Sequence, residues 1–166
     1  MKTLYLIGGT MGVGKTTVSQ ILKRQLPACV LLDGDWCWDA DPFVVTEETK
    51  RMVMGNIRHL LTAFLSCSAY ENVVFCWVMH EQKIIDEILS ALPLDGCQVR
   101  TVSLVCDADA LTRRLKKDVA LGLRRADVIG RSVARLPLYD ALDTQKIDVS
   151  DITAAQAAQL IVVSGE

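Results

Sequence analysis

The sequence predicts an α/β fold in which a five-stranded parallel sheet carries helices on both faces. Two observations predict it. Short, nearly continuous apolar runs (LYLI, CVLL, VVFCWV and VSLV) alternate with longer amphipathic stretches. Strands buried on both faces read this way, and strand–helix alternation implies βαβ crossovers. A glycine-rich loop also joins the first run to the first helical stretch.

Taken in order, Thr3–Gly8 reads as a strand and Lys15–Leu26 as a helix. Cys29–Leu32 is the second strand, and Thr46–Cys67 a long helix. Thr46 stands ahead of Glu47 and Glu48, which suit the positive end of a helix dipole. Asn72–Val78 is a strand and Glu81–Leu92 a helix; Gln98–Cys106 is a strand and Asp107–Leu121 a helix. A further helix is predicted over Asp127–Leu142. Strand Lys146–Val149 and helix Ala154–Val163 close the chain, with Thr153 and Gln156 spaced as a capping box.

The 166 residues contain no repeat, low-complexity tract or Pro/Gly/Ser-rich linker, so residues 1–166 are expected to form one domain. A 51% hydrophobic share excludes a disordered chain. A net charge of −2 argues against a general nucleic-acid binder, which is usually basic. The apolar run Leu60–Tyr70 has eleven residues, too few to span a bilayer as a helix. The apolar N-terminal run is cut short by two glycines with no cleavage pattern after it, so a cytoplasmic protein is expected. The six cysteines contain no CxxC pair and only two histidines accompany them, which speaks against structural zinc. Cys29, Cys67, Cys76 and Cys106 sit in apolar runs and are expected to be buried free thiols.

The most specific signal is Gly9-Thr10-Met11-Gly12-Val13-Gly14-Lys15-Thr16, which matches G-x-x-x-x-G-K-[ST] between a strand and a helix. Glycines let the backbone curl so that several N–H groups point at phosphate oxygens. Lys15 is expected to reach the β- and γ-phosphates of a nucleotide, and the Thr16 hydroxyl to coordinate Mg²⁺. Thr17 extends the motif into the helix.

Nucleotide binding alone does not name a reaction. A Ras-type GTPase reads its base with NKxD, and Gln145-Lys146-Ile147-Asp148 lacks the Asn. A helicase- or AAA-type ATPase needs a hydrophobic strand ending in Asp-Glu, and the third strand here runs Phe75-Cys76-Trp77-Val78-Met79-His80-Glu81. The second strand, by contrast, ends in Asp33-Gly34-Asp35. In a parallel sheet that point lies at the ligand-binding edge beside the phosphate loop. One carboxylate there can hold Mg²⁺ through water and the other can accept a proton from an attacking hydroxyl. Without the loop, Asp-Gly would be an ordinary turn.

The loop GTMGVGKTT, the DGD after strand two and the later Arg-rich segment resemble the P-loop small-molecule kinases. Adenylylsulfate, gluconate, shikimate and nucleoside monophosphate kinases belong there, as does chloramphenicol phosphotransferase. The resemblance implies a three-layer α/β/α sandwich with strand order 2-3-1-4-5 and a mobile lid at about 122–138. It also implies transfer of the γ-phosphoryl group of ATP to a small-molecule acceptor, with ATP and Mg²⁺ bound at residues 9–17. By the same resemblance Asp35 is the candidate base and Asp33 the magnesium-side acid. The chain departs from many relatives in lacking an Asp at the end of strand three.

Residues 113–135 hold Arg113, Arg114, Lys116, Lys117, Arg124, Arg125, Arg131 and Arg135 against only Asp118 and Asp127. Phosphoryl transfer needs cations around the γ-phosphate, and a closing segment can supply them. Arg124, Arg131 and Arg135 are the lid candidates, whereas Arg113, Arg114, Lys116 and Lys117 read as a solvated helix face. Arg131 and Arg135, four apart, share one face. Arg124 follows Gly122, a hinge or a helix end.

On the acceptor side, Trp36 and Trp38 lie in one loop beside Asp35. They form an apolar wall or stack on a ring, or else plug the loop onto the domain. His80 follows strand three at the ligand edge, where it hydrogen-bonds an acceptor or caps the next helix. Arg51 and Arg58 share a helix face that reads as solvated, and His59 reads as structural or surface. By the resemblance, Ser150–Thr153 lies near the adenine. The expected activity is that of an ATP-dependent kinase with no nucleic-acid or membrane partner, its oligomeric state open. The alternative is a nucleotide-binding regulatory module with weak ATPase activity.

Overall fold

The structure, a computed structural model, describes residues 1–164. Five parallel strands, β1 (Lys2–Gly8), β2 (Cys29–Asp33), β3 (Asn72–Cys76), β4 (Cys97–Val105) and β5 (Gln145–Asp148), stand in the order β2-β3-β1-β4-β5. The helices are α1 (Lys15–Gln25), α2 (Glu47–Ser66), α3 (Gln82–Ser90), α4 (Ala108–Ala120), α5 (Val128–Arg135) and α6 (Ala154–Val163).

Period-two alternation divides the core between the two faces of the sheet. Leu4, Leu6, Leu32, Val73 and Phe75 face the helical stripe Val53, Ile57, Leu61 and Leu65 of α2 and Ile85 and Ile88 of α3. Tyr5, Ile7, Leu31, Val74 and Cys76 face Val18 and Leu22 of α1 and Ala157, Ala158 and Ile161 of α6. Leu111, Leu115 and Val128 form a smaller core where α4 and α5 pack.

Local chemistry sets the helix ends. At α2 the Thr46 hydroxyl accepts from the Thr49 amide (3.1 Å) while the Thr46 amide donates to Thr49 Oγ1 (2.8 Å), a capping box with Thr in the place of Glu. Lys2 Nζ donates to the Cys67 and Tyr70 carbonyls just beyond the C-terminus of α2, where a cation is favourable. Thr153 and Gln156 complete the expected box at α6.

Three expectations need correction. The helix predicted over Asp127–Leu142 ends at Arg135 and gives way to a 3-10 turn over Leu136–Ala141. Pro137 lacks an amide and obstructs a continuing α-helix, so the chain tightens there instead. The third strand is regular only to Cys76 rather than Val78, although the Trp77 amide still donates to the Ile7 carbonyl (3.1 Å) before Met79, at a left-handed φ of 32°, turns the chain away. Of the cysteines expected to be buried, only Cys76 is; Cys29, Cys67 and Cys106 are partly exposed, and Cys37 is buried instead.

The 3-10 turn brings Tyr139, fully buried, under the end of β3, where its hydroxyl donates to the Val78 carbonyl. Tyr139→Phe removes a buried donor and is expected to cost about 1–2 kcal/mol. Urea titration should show this as a lower midpoint at unchanged m.

Candidate functional site

The phosphate loop bridges β1 and α1 at the carboxyl edge of the sheet. Its backbone depends on close approach: a Cβ on Gly12 would lie 2.4 Å from Leu115 of α4, in a backbone already at φ 86°. No side chain caps α1, whose N-cap is Gly14, so its first amides lack the usual capping oxygen. That is the arrangement of an anion-binding helix N-terminus. Thr10 is fully buried and its hydroxyl donates to the Ser132 carbonyl of α5 (2.8 Å). The loop is thereby tied to the Arg-rich segment.

Lys15 donates to the Thr10 carbonyl (3.0 Å), which keeps its ammonium over the loop. Burial pushes its pKa down to about 8, with Cys76, Asp35 and Asp33 opposing the fall. Next in the chain, the Thr16 hydroxyl donates to Asp33 Oδ2 (2.9 Å). Asp33 is 5% exposed, and its Oδ1 accepts the Asp35 amide (3.0 Å). One carboxylate therefore joins the end of the phosphate loop to the turn after β2. Two adjacent hard oxygen donors beside a phosphate cradle, Thr16 Oγ1 and Asp33, fit a magnesium ion shared with phosphates.

Asp35 sits in the 3-10 turn Gly34–Cys37. Burial and the Asp33 charge raise its pKa; Lys15, the Trp77 indole and Arg124 work against that rise. The intervening glycine has a packing reason, since a Cβ on Gly34 would come 2.4 Å from the Trp77 ring. Asp33 pairs in register with Cys76. The thiol at the end of β3 is held up to about 12, first by burial and then by Asp33, so it is neutral.

The structure brings Lys15, Thr16, Asp33, Asp35 and Arg124 together. Arg124 pairs with Asp118 (3.1 Å), and its charge is felt at both Lys15 and Asp35. Gly122, at φ 72°, closes a Schellman motif at the end of α4, with its amide on Val119 and that of Leu123 on Asp118. Gly122 is thus a helix end. Arg135 lies near His80 and helps burial lower the imidazole pKa. His80 Nε2 is 3.4 Å from Glu81, its Nδ1 is buried without a partner, and it does not cap α3. Arg131 is not gathered in: it is 65% exposed and paired with Asp127 (3.1 Å) on its own helix. Asp127-Val128-Ile129-Gly130 has the spacing of a GTPase DxxG switch, but Asp127 is spent on that ion pair.

Met11 and Trp36 are exposed, and Trp36 and Trp38 border a groove of about 450 Å³ with Pro42, Val44 and Met52. Arg58 and His59 line a different groove on α2, among Gly55 and Thr62. One residue was misread from sequence. Arg114, expected on a solvated face, donates to the Val13 carbonyl (3.3 Å) and to the Val149 carbonyl after β5. It clamps the phosphate loop to the end of the last strand. No local pattern marks it, because only the crossover sets α4 between those two segments.

The depressed Lys15 pKa has a consequence for stability. A lysine titrating near 8 when folded and 10.5 when unfolded holds fewer protons in the folded state between those values. Its contribution is fully present above pH 10.5 and lost as pH falls through 8. Lys15→Met is therefore expected to be more stable than the parent chain at pH 7, by about 1–3 kcal/mol. The difference should shrink as pH rises from 8 to 10.5 in parallel urea titrations.

A family model described as an AAA domain matches residues 6–122, well over half of the chain. The match spans the phosphate loop, the DGD turn and α4, and stops before Arg124. It does not supply the acidic strand end of the AAA-type ATPase considered above, since β3 ends in Cys76. No curated protein matches the sequence. Solved structures do. The tunicamycin resistance protein of Deinococcus radiodurans is 19% identical, with a TM-score of 0.74 over 99% of this chain and 96% of that one. A gluconokinase from Sinorhizobium meliloti 1021 is 16% identical, with a TM-score of 0.69 over 97% and 90%. Shikimate kinase from Acinetobacter baumannii, solved with shikimate, is 20% identical, with a TM-score of 0.63 over 100% and 95%. The chain belongs to the P-loop family that this AAA domain model describes, and its fold is that of the P-loop small-molecule kinases.

Proposed function

We propose that the chain is an ATP-dependent kinase that moves the γ-phosphoryl group to a hydroxyl of a small molecule. The observation that carries this reading is the Thr16–Asp33–Asp35 linkage, which sets a partly buried carboxylate of raised pKa beside the phosphate loop. The gluconokinase and shikimate kinase names of two structural relatives support the same reading.

The roles follow from the chemistry of each group. The loop amides of residues 9–17 and Lys15 hold the nucleotide phosphates. Thr16 and Asp33 would hold magnesium, which neutralises phosphate charge when bound. Asp35 accepts the proton of the attacking hydroxyl, a task helped by a pKa above that of an ordinary aspartate. Arg124, already near Asp35, and Arg135, near His80, supply positive charge around the transferring group. Arg131 joins them only if the segment 122–138 moves as a lid over the phosphate loop, breaking the Asp127 pair. Trp36 and His80 flank the acceptor.

A second reading is a regulatory nucleotide-binding module with weak ATPase activity. It is favoured by the neutral Cys76 thiol, which leaves Asp33 as the acid beside Thr16.

ADP release from Mg-ATP, measured with and without pooled hydroxyl acceptors, separates the two. A kinase shows acceptor-dependent release that Lys15→Ala abolishes. Asp35→Asn is expected to lower that release about 10²–10⁴-fold while ATP binding persists. In the parent enzyme kcat/KM should fall as pH is lowered through a pKa above the ordinary aspartate range, an acid limb absent in Asp35→Asn. Acceptor-independent release unchanged by Asp35→Asn would decide for the regulatory module.

A further inference from the structure

The groove next to Asp35 has a chemistry that the phosphate loop does not share. Trp36, at 58% exposure, Val44, at 49%, and Met52, at 45%, leave apolar surface in water immediately beyond the turn that carries Asp35. Clustered apolar surface beside a reactive group marks a place where something binds. The wall is braced. The Trp38 ring packs on Phe43 with centroids 4.5 Å apart, and Asn56 of α2 donates to the Cys37 carbonyl (3.1 Å). The groove volume of about 450 Å³ suits a molecule of one or two rings.

Charge narrows the choice further. From Asp33 to Thr49 the chain carries six acidic residues and no Lys, Arg or His. The first cation, Lys50, is paired with Glu47 (2.9 Å). Arg51 lies near Glu47 and is not among the groove's lining residues, and Arg58 opens onto the separate groove of α2. No cation lines the groove: Lys15 and Arg124 lie on the phosphate side, and Arg135 lies near His80, which is not among the groove's lining residues. A carboxylate, sulfate or phosphate held in the groove would face Asp39 without a compensating partner among the lining residues. An uncharged ring meets no such penalty, and an ammonium over an indole face is attracted to it.

We propose that the acceptor is a hydroxyl compound with a flat apolar body and no anionic group, seated against Trp36 and Trp38 with its hydroxyl toward Asp35. The proposal rests on the kinase reading and deepens it, since it sets aside nucleotides, sugar acids and adenylylsulfate. In the transfer the acceptor oxygen bonds to the γ-phosphorus and the bond from that phosphorus to the bridging oxygen breaks. The hydroxyl proton passes to Asp35, and ADP leaves with the bond's electrons.

The test uses three ligands of one shape. They are 4′-(hydroxymethyl)biphenyls bearing a carboxamide, an aminomethyl or a carboxylate group at the far end. Calorimetric titration into the full chain, and into Lys15→Ala, reads binding without requiring turnover. The amide and the amine are expected to bind at least about tenfold more tightly than the carboxylate in both proteins. Trp36→Ala, a change at an exposed position that circular dichroism can verify as folded, should weaken the amide by a similar factor. Equal or tighter binding of the carboxylate, binding of none of the three, or no effect of Trp36→Ala overturns the proposal. Failure of the kinase reading has a different signature: the amide and amine bind, yet Mg-ATP yields no phosphorylated product.

Discussion

Asp33 is the hinge on which the site turns. One carboxylate oxygen takes the Thr16 hydroxyl and the other takes the Asp35 amide. The first bond ties β2 to the start of α1, and the second fixes the direction in which Asp35 leaves the strand. Both depend on strand order, because β3 must lie between β2 and β1 to set the two edges at this distance. The carboxylate is almost wholly buried, so each bond lies in surroundings of low dielectric where it is strong and costly to lose.

Much of this was legible in the residues themselves. The apolar runs place the strands because a strand covered on both faces has no polar side to display. The phosphate loop is legible because its chemistry needs backbone shape, and only glycine supplies that shape. The DGD turn is legible because the sheet edge gives it a place. What could not be read is whatever depends on distant segments meeting. Gly34 is a glycine because of Trp77, forty-three residues further on. Arg114 looks like part of a solvated charge run, and only the fold reveals two carbonyls within its reach. Arg131 and Arg135 share a helix face as their spacing requires, yet one pairs outward with Asp127 and the other lies near His80. The break at Leu136 is marked in the sequence by Pro137, but the apolar pattern on either side of it is that of one continuous helix.

The two sides of the site differ in kind. Toward the nucleotide there are backbone amides, a lysine and an arginine, suited to a multiply charged anion. Toward the groove beyond Asp35 there are indole rings and a carboxylate, Trp36, Trp38 and Asp39. Asp35 stands at the boundary, and its raised pKa reflects both neighbourhoods: burial and Asp33 hold the proton on, while Lys15, Trp77 and Arg124 draw it off. A carboxylate whose pKa is raised is a stronger base than an ordinary aspartate once it is ionised.

Arg114 also bears on how such a chain tolerates sequence drift. Its guanidinium grips the Val13 and Val149 carbonyls, atoms that every residue type provides. Either valine can change without loss of the clamp, as far as packing allows, whereas the arginine cannot become lysine and keep a planar fork across two acceptors. A frame held by backbone atoms frees most of its side chains from structural duty. Substitutions are then easiest to accept in the groove walls beyond Asp35, while the loop beside Lys15 keeps its shape.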